Sequence, residues 1–273
     1  MSKAKKNIND LMTIMKQLRN PLGGCPWDIA QDFTSVAPYT IEEAYEVAEA
    51  IEKTDMPELK NELGDLLFQV IFHAEMAQEE GYFDFADVVE GICDKMIRRH
   101  PHVFGDAEYR NANEQTRAWE TQKADERKQK NQQASQLDGV TSGLPAFSRA
   151  VKLQNRAARV GFDWPDSTQV LDKLNEEMAE LSHEMTKQSK DSQNLARITE
   201  EFGDMMFVYA NLARHMKIDP EAALRSANYK FEKRFKAVER RADAQNKSLE
   251  TMNLEQMDQL WDEVKMQEKT EKE

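Results

Sequence analysis

Apolar residues recur along most of the chain at the three- and four-residue spacing of helices that bury one face. Ile8, Leu11, Met12, Met15 and Leu18 make one such stripe, ending in the turn-forming run Pro21-Leu22-Gly23-Gly24-Cys25-Pro26. A second helix is expected from near Thr40, where Glu43 three residues on completes a capping-box pattern. Pro57 opens a third, with Leu59, Leu63, Leu66, Leu67, Val70 and Ile71 expected inward and Gly81 as its stop. A fourth is expected from about Asp84 and must finish before Pro101. Residues 121–136 carry almost no apolar side chains and read as a helix tail and linker. The pattern then resumes, with helices expected at 144–160, closed by Gly161, at 170–187 and at 195–217. Asp219-Pro220 marks the next start, and Asn253 caps a last helix carrying Leu254, Met257, Leu260 and Val264. No segment shows a convincing strand pattern. The expected fold class is all-α.

The two halves repeat. Glu42-Glu43-x-x-Glu46 is matched by Glu176-Glu177-x-x-Glu180, and Glu62-Leu63-Gly64-Asp65 by Glu201-Phe202-Gly203-Asp204. Lys95 and Arg99 are matched by Lys230 and Arg234, and Trp119-x-x-x-Lys123 by Trp261-x-x-x-Lys265. The offsets are 134, 139, 135 and 142 residues, and Trp27 and Trp164 also lie comparably upstream of the first acids. Four matches in one order at nearly constant spacing mark an internal duplication. The expected organisation is a first unit at 1–120, a polar linker at 121–143 and a second unit at 144–273.

Composition narrows the partners. With 273 residues the chain is long enough for two domains of ordinary size, and its 10 Gly and 8 Pro are too few for a turn-rich β fold. A net charge of −13 repels nucleic-acid polymers and anionic membranes, so neither is expected as a partner. A small anion remains possible where local cations or a bound metal reverse the potential. No run of 18 apolar residues is present, and Met-Ser-Lys-Ala-Lys-Lys-Asn leads into an amphipathic segment, not the apolar core of a signal peptide. Cys25 and Cys93 stand far apart and read as reduced thiols, so a cytoplasmic location is expected.

The repeated acids carry the chemistry. At about 100° per residue, Glu177 and Glu180 lie about 60° apart on their helix, and Glu176 about 40° beyond Glu180. Glu201 and Asp204 share a face in the same way, among apolar Phe202, Met205, Met206 and Val208. Consecutive helices with a short connection pack antiparallel, which lets the two acid pairs face each other. One such run alone reads as a solvated helix face. The two-helix pattern occurring twice does not, because like charges about 4 Å apart repel by roughly 4 kcal/mol at an effective dielectric near 20. A divalent cation removes that cost, and an all-oxygen set favours Mg²⁺, with Mn²⁺ also suited. Gly64 and Gly203 each precede an aspartate. A glycine inside a helix costs about 1 kcal/mol against alanine, so each is expected to admit close approach of the facing helix.

Lys230 and Arg234 project from one helix face. In an acidic chain such a pair is ordinarily a surface salt-bridge partner, but Lys95 and Arg99 hold the matching place, and a metal-bound triphosphate needs such donors. Trp261 is suited equally to stacking on a base or to core packing. Glu180-x-x-His183 has the spacing of di-iron helical bundles, but those need two such motifs, and the first half has Glu49 at the matching position. His183 is therefore expected to be exposed or structural.

Glu-Glu-x-x-Glu followed by Glu-x-x-Asp on paired helices resembles the MazG nucleotide pyrophosphohydrolases and their all-α dimeric dUTPase relatives. Gly24-Cys25-Pro26-Trp27-Asp28, KMIRRHPHVFGD (95–106), LPAFSRAVKLQNRAARVGFDW (144–164) and ANYKFEKRF (227–235) look like the long, two-unit bacterial members, so the resemblance spans nearly the whole chain. It implies hydrolysis of a nucleoside triphosphate to the monophosphate and pyrophosphate by water attack at the α-phosphorus. It implies Mg²⁺ on Glu177, Glu180, Glu201 and Asp204, with Glu176 orienting or deprotonating the water. It implies Lys230 and Arg234 on the phosphates, with Trp261 and Lys265 closing over the nucleotide. It also implies a homodimer, with a four-helix unit formed between chains, and a housecleaning role on surplus nucleotides. The second unit is expected to be the main catalyst. The first copy, with Glu43, Glu46, Glu62 and Asp65 and counterparts Lys95, Arg99, Trp119 and Lys123, would serve assembly or a narrower substrate. The competing reading is a non-catalytic nucleotide sensor, which would bind through the same cations but release no pyrophosphate.

Overall fold

The structure is a computed structural model that describes residues 5–107, 111, 114–115, 118–119, 121–122, 135–187 and 192–270. The chain divides into two compact units, Met1–Ala124 and Asp125–Glu273. No strand occurs among the described residues.

The first unit contains α1 (Ile8–Leu18), α2 (Pro26–Ile29), α3 (Phe33–Lys53), α4 (Met56–Glu79), α5 (Phe85–Arg99) and α6 (Pro101–Phe104). Asn7, Asp32 and Asp84 each close a capping box at the head of their helix. Asp32 moves the start of α3 to Phe33, seven residues before the expected Thr40. The Asp32 carboxylate accepts from the Ser35 amide at 2.8 Å and the Ser35 hydroxyl accepts from the Asp32 amide at 2.9 Å. That cap carries the helix through Pro38, which removes only one main-chain donor. Thr40 instead meets His73 of α4, Oγ1 to Nε2 at 3.0 Å.

Met15, Val36, Ile71, Phe72 and Met76 form the core of this unit, drawn from α1, α3 and the second half of α4. The inward assignment of Leu63, Leu67 and Val70 is corrected: they are 50%, 39% and 38% exposed. The physical reason is coverage. The apolar cluster covers the side of α4 that carries Ile71, Phe72 and Met76, and among the described residues nothing buries the stripe of Leu63, Leu67 and Val70 on another face. Arg19 pins the ends of the unit together. Its Nε and NH2 donate to the two Glu79 oxygens at 2.8 and 2.6 Å, and NH1 donates to the carbonyls of Asp28 and Gln31 at 2.6 and 3.2 Å.

The second unit contains α7 (Ala146–Ala158), α8 (Ser167–Thr186), α9 (Ser192–His215), α10 (Pro220–Ala244) and α11 (Leu254–Thr270), with a 3₁₀ turn at Leu249–Thr251. Gly161, at φ +86°, follows α7, and Asp219 caps α10 as expected, its carboxylate accepting from the amides of Glu221 and Ala222. α8 pairs with α9, α7 packs against α9, and α10 packs against α7 and α11. Gln154 of α7 donates through Nε2 to the Phe207 carbonyl of α9 at 2.8 Å. Val238 and Ala242 meet Leu260 and Val264 in a separate cluster, which makes α10 and α11 a helical hairpin. Asp163, in the loop before α8, is bridged by Arg214 and lies 3.2 Å from His215 Nε2 at the end of α9.

Candidate metal and nucleotide site

Helix pairing brings the repeated acids together. In the first unit, carboxylate oxygens of Glu43 and Glu46 on α3 and Glu62 on α4 lie within 4.8 Å of one another. In the second, Glu177 and Glu180 on α8 and Glu201 on α9 do the same. Glu177 is only 5% exposed, and burying a carboxylate is costly unless cations share its charge. Asp65 and Asp204, the fourth acids of each expected set, are exposed and stand outside these triads. They remain within electrostatic reach, Asp65 of Glu43 and Glu62 and Asp204 of Glu201.

Glu201 is pushed above the ordinary carboxylate value first by desolvation, then by the charges of Glu180, Glu177, Asp204 and Glu200. Glu43 is raised first by desolvation, then by Asp65, Glu46 and Glu42. Glu62 is raised by desolvation and then by Glu46, Glu58 and Asp65. These clusters hold more negative charge than their surroundings settle. Two oxygens on one Mg²⁺, each at about 2.1 Å, stand about 3 Å apart when adjacent and about 4.2 Å when opposite. The triads are close to that spacing, so hard oxygen donors and unrelieved repulsion both fit a divalent cation.

Lys173 adds a cation that the repeated acid pattern did not single out. It donates from Nζ to Glu176 Oε1 at 2.8 Å and reaches Glu177 Oε1 at 2.8 Å. Hydrogen bonds to Glu176 and Glu177 hold its ammonium above the usual lysine range. The signal was readable, since i,i+3 and i,i+4 pairs meet on a helix. Glu176 thus sits beside a cation and outside the triad. The glycine expectation is corrected. A Cβ built at Gly64 or Gly203 would meet nothing within 4 Å, so neither glycine is there to admit a facing helix of the same chain. His183 is exposed, in line with the plain reading of its helix face.

The cation set lies on α10 and α11. Lys230 is exposed. Arg234 is paired with Glu268 and its Cζ lies 5.9 Å from the Trp261 ring centroid. Trp261 packs against Phe231, centroids 5.4 Å apart, and joins the hairpin cluster, so it is partly a core residue. Lys265 bonds Asp262 at 3.1 Å. In the first unit, Lys95 is exposed, Arg99 is half-buried and Trp119 is 38% exposed; Lys123 lies outside the described residues.

The family model for the MazG nucleotide pyrophosphohydrolase domain matches twice, at residues 31–104 and 166–239. This chain belongs to the MazG family. Both matches contain one acid triad and one Lys/Arg pair, so the duplication is of whole MazG domains. The nucleoside triphosphate pyrophosphohydrolase of Escherichia coli (strain K12) is 49% identical over 96% of this chain and 98% of its own length. The nucleoside triphosphate pyrophosphohydrolase/pyrophosphatase MazG of Thermotoga maritima is 41% identical over 97% and 98%. Protein YabN of Bacillus subtilis (strain 168) is 44% identical over 94% of this chain, which spans 51% of that longer protein. In the second MazG unit the acid helices α8 and α9 pack on each other, α9 also on α7, and the cation helix α10 on α7 and α11. No helix among the described residues is long and apolar enough to cross a membrane.

Proposed function

We propose that this chain is a Mg²⁺-dependent nucleoside triphosphate pyrophosphohydrolase whose main site is in the second unit. The reaction class, triphosphate plus water to monophosphate plus pyrophosphate, follows from family membership and from full-length relatives bearing that name. The observation that carries the site assignment is the close triad of Glu177, Glu180 and Glu201, with Glu177 buried and Glu201 resisting ionisation. With Asp204 these acids would hold Mg²⁺, or Mn²⁺ in its place. Bound there, the ion would supply charge neutralisation at the phosphate and a lowered pKa for the attacking water.

The remaining roles fall to the chain's own groups. Glu176 orients the water and takes its proton as oxygen bonds to the α-phosphorus. The bond from the α-phosphorus to the bridging oxygen breaks, and pyrophosphate leaves with the bonding pair. Lys230 and Arg234 hold the outer phosphates, while Trp261 and Lys265 close over the nucleoside. In the first unit Glu43, Glu46, Glu62 and Asp65 form a second metal site of lesser or no activity, and Lys95, Arg99, Trp119 and Lys123 are its counterparts to the phosphate residues.

The active form is read as a homodimer. Each unit supplies one antiparallel acid-bearing pair, and large apolar residues beside the acids, Met178 at 44% and Phe202 at 49% exposed, need a second pair to cover them. Two free cysteines and the acidic charge support a cytoplasmic location without nucleic-acid or membrane partners. A pyrophosphate-release assay over a panel of NTPs and dNTPs, with EDTA or millimolar Mg²⁺, tests the reading. Release is expected only with the metal. Nucleotide binding without release from any triphosphate would establish the sensor reading instead.

A further inference from the structure

We propose that Glu268 is a positioning residue for substrate: it fixes the guanidinium of Arg234 so that one end of the fork faces the triphosphate. The inference rests on the reading of Arg234 as a phosphate donor. One Glu268 oxygen, Oε2, receives Arg234 Nε at 2.9 Å and NH2 at 2.8 Å. This contact occupies the Nε side of the planar group. Its other end keeps the NH1 donors and one NH2 donor in one plane, the arrangement that meets two phosphate oxygens at once.

The pair is held more firmly than an ordinary surface bridge. Both side chains are 22% exposed, and the guanidinium also stands over Trp261. Trp261 and Glu268 are seven residues apart on α11, so they lie about 20° apart around its axis and two turns apart along it, with Lys265 on the same stripe. Behind the stripe, Leu260 and Val264 are anchored on Val238 and Ala242 of α10. Arg234 is therefore set between a ring and a carboxylate that one anchored helix carries. The first half repeats the spacing in sequence, Trp119 to Glu126 against Trp261 to Glu268. Glu126 lies outside the described residues.

A bridge that only joined two helices would contribute little and would not distinguish ligands. A positioning role predicts a particular kinetic pattern in the full-length protein. Glu268→Gln raises the KM for the best NTP and the Ki of inorganic pyrophosphate about fivefold to tenfold, with kcat changed less than about twofold. Affinity for the monophosphate and the melting temperature stay near wild type, and Glu268→Asp recovers most of the loss. In an Arg234→Ala background, Glu268→Gln has no further effect on KM. An unchanged KM in Glu268→Gln, while Arg234→Ala raises it, overturns the proposal and leaves the phosphate role of Arg234 standing. A lowered KM also overturns it, since Glu268 would then compete with phosphate. Unchanged triphosphate binding in Arg234→Ala rejects the underlying reading of that arginine and the proposal with it.

Discussion

The two MazG units carry the same acids on the same helix pair, yet they support them differently. In the first, the cation-bearing helix α5 ends at Arg99 because Pro101 cannot continue it. In the second, α10 runs on to Ala244, and that extra length provides Val238 and Ala242 to seat α11 with Trp261, Lys265 and Glu268. The acids differ in company too. Lys173 faces Glu176 and Glu177, whereas the residue at the same offset from the first acid cluster is Tyr39, which packs edge-on against Trp27. Glu43 and Glu62 of the first triad and Glu201 of the second are pushed up in pKa, each first by desolvation and then by neighbouring acids. Duplication preserved the acid triads, and their surroundings differ. The second unit carries Trp261, Lys265 and Arg234 on a hairpin with its own apolar cluster, and the first has a cluster drawn from three helices.

The largest expected effect breaks or confirms this division directly. Glu201→Gln keeps the shape of a triad member and removes its charge, and it should lower NTP turnover at least about a hundredfold, equivalent to about 2.7 kcal/mol in barrier. Glu62→Gln should leave most turnover intact. Equal losses, measured as pyrophosphate release at saturating Mg²⁺, would make the units equivalent catalysts; loss from Glu62→Gln alone would move the main site to the first unit.

A stability effect of about 2 kcal/mol is expected from Arg19→Met, because Arg19 is only 9% exposed in side chain and its charged hydrogen bonds to Glu79 would be removed. Turnover at ambient temperature should hardly change, since the proposed main site is in the other unit. Denaturant melts and activity on the same preparation check both halves of the statement. A large fall in turnover without loss of stability would tie the first unit to catalysis.

Much of this architecture was legible in the chain. Helix identity followed from apolar spacing and from caps such as Asp84 and Asp219, and the duplication of Glu43/Glu46/Glu62 and Glu177/Glu180/Glu201 pointed to the triads that helix pairing assembles. The start of α3 lies upstream of the Thr40/Glu43 pattern because the capping box is Asp32-Ser35 and the helix passes through Pro38. Leu63, Leu67 and Val70 were misplaced because periodicity shows that a stripe is apolar, not what covers it. The same limit applies to Gly64 and Gly203, whose spacing gave no measure of how near the facing helix lies. Glu268 was invisible as a partner of Arg234 because the two are 34 residues apart and meet only through the hairpin.

A smaller contrast is expected among the cations. Lys230→Ala should weaken triphosphate binding about tenfold, about 1.4 kcal/mol, and monophosphate binding much less, because its proposed partners are the outer phosphates. Lys95→Ala should change triphosphate binding less than about twofold. Calorimetric titration with a non-hydrolysable triphosphate and with the monophosphate separates the cases. Equal weakening for both ligands in Lys230→Ala would return Lys230 to the role of a surface charge.

The smallest effect concerns the lysine that only the second triad has. Without a metal, Lys173 supplies part of the positive charge that Glu177, Glu180 and Glu201 lack, so Lys173→Met should destabilise the metal-free protein and enlarge the gain in melting temperature on adding millimolar Mg²⁺. An ion that binds only the folded state stabilises it by mass action, and an added repulsion in the metal-free state makes that binding tighter. The enlargement should be on the order of 2 °C, since about 1 kcal/mol shifts a unit of this size by a few degrees. Tyr39→Lys should do the reverse for the first unit and shrink the gain. The pH dependence has a definite sign. Glu201 has a raised folded-state pKa, so its repulsion costs stability above that pKa and is relieved as pH falls through it toward the unfolded value. The Mg²⁺ gain should therefore diminish as pH is lowered from about 7.5 toward about 5, and it should do so in Lys173→Met as well. If wild type, Lys173→Met and Tyr39→Lys show the same Mg²⁺ gain at every pH, the lysine and the metal do not answer the same charge, and this difference between the units has no bearing on metal binding.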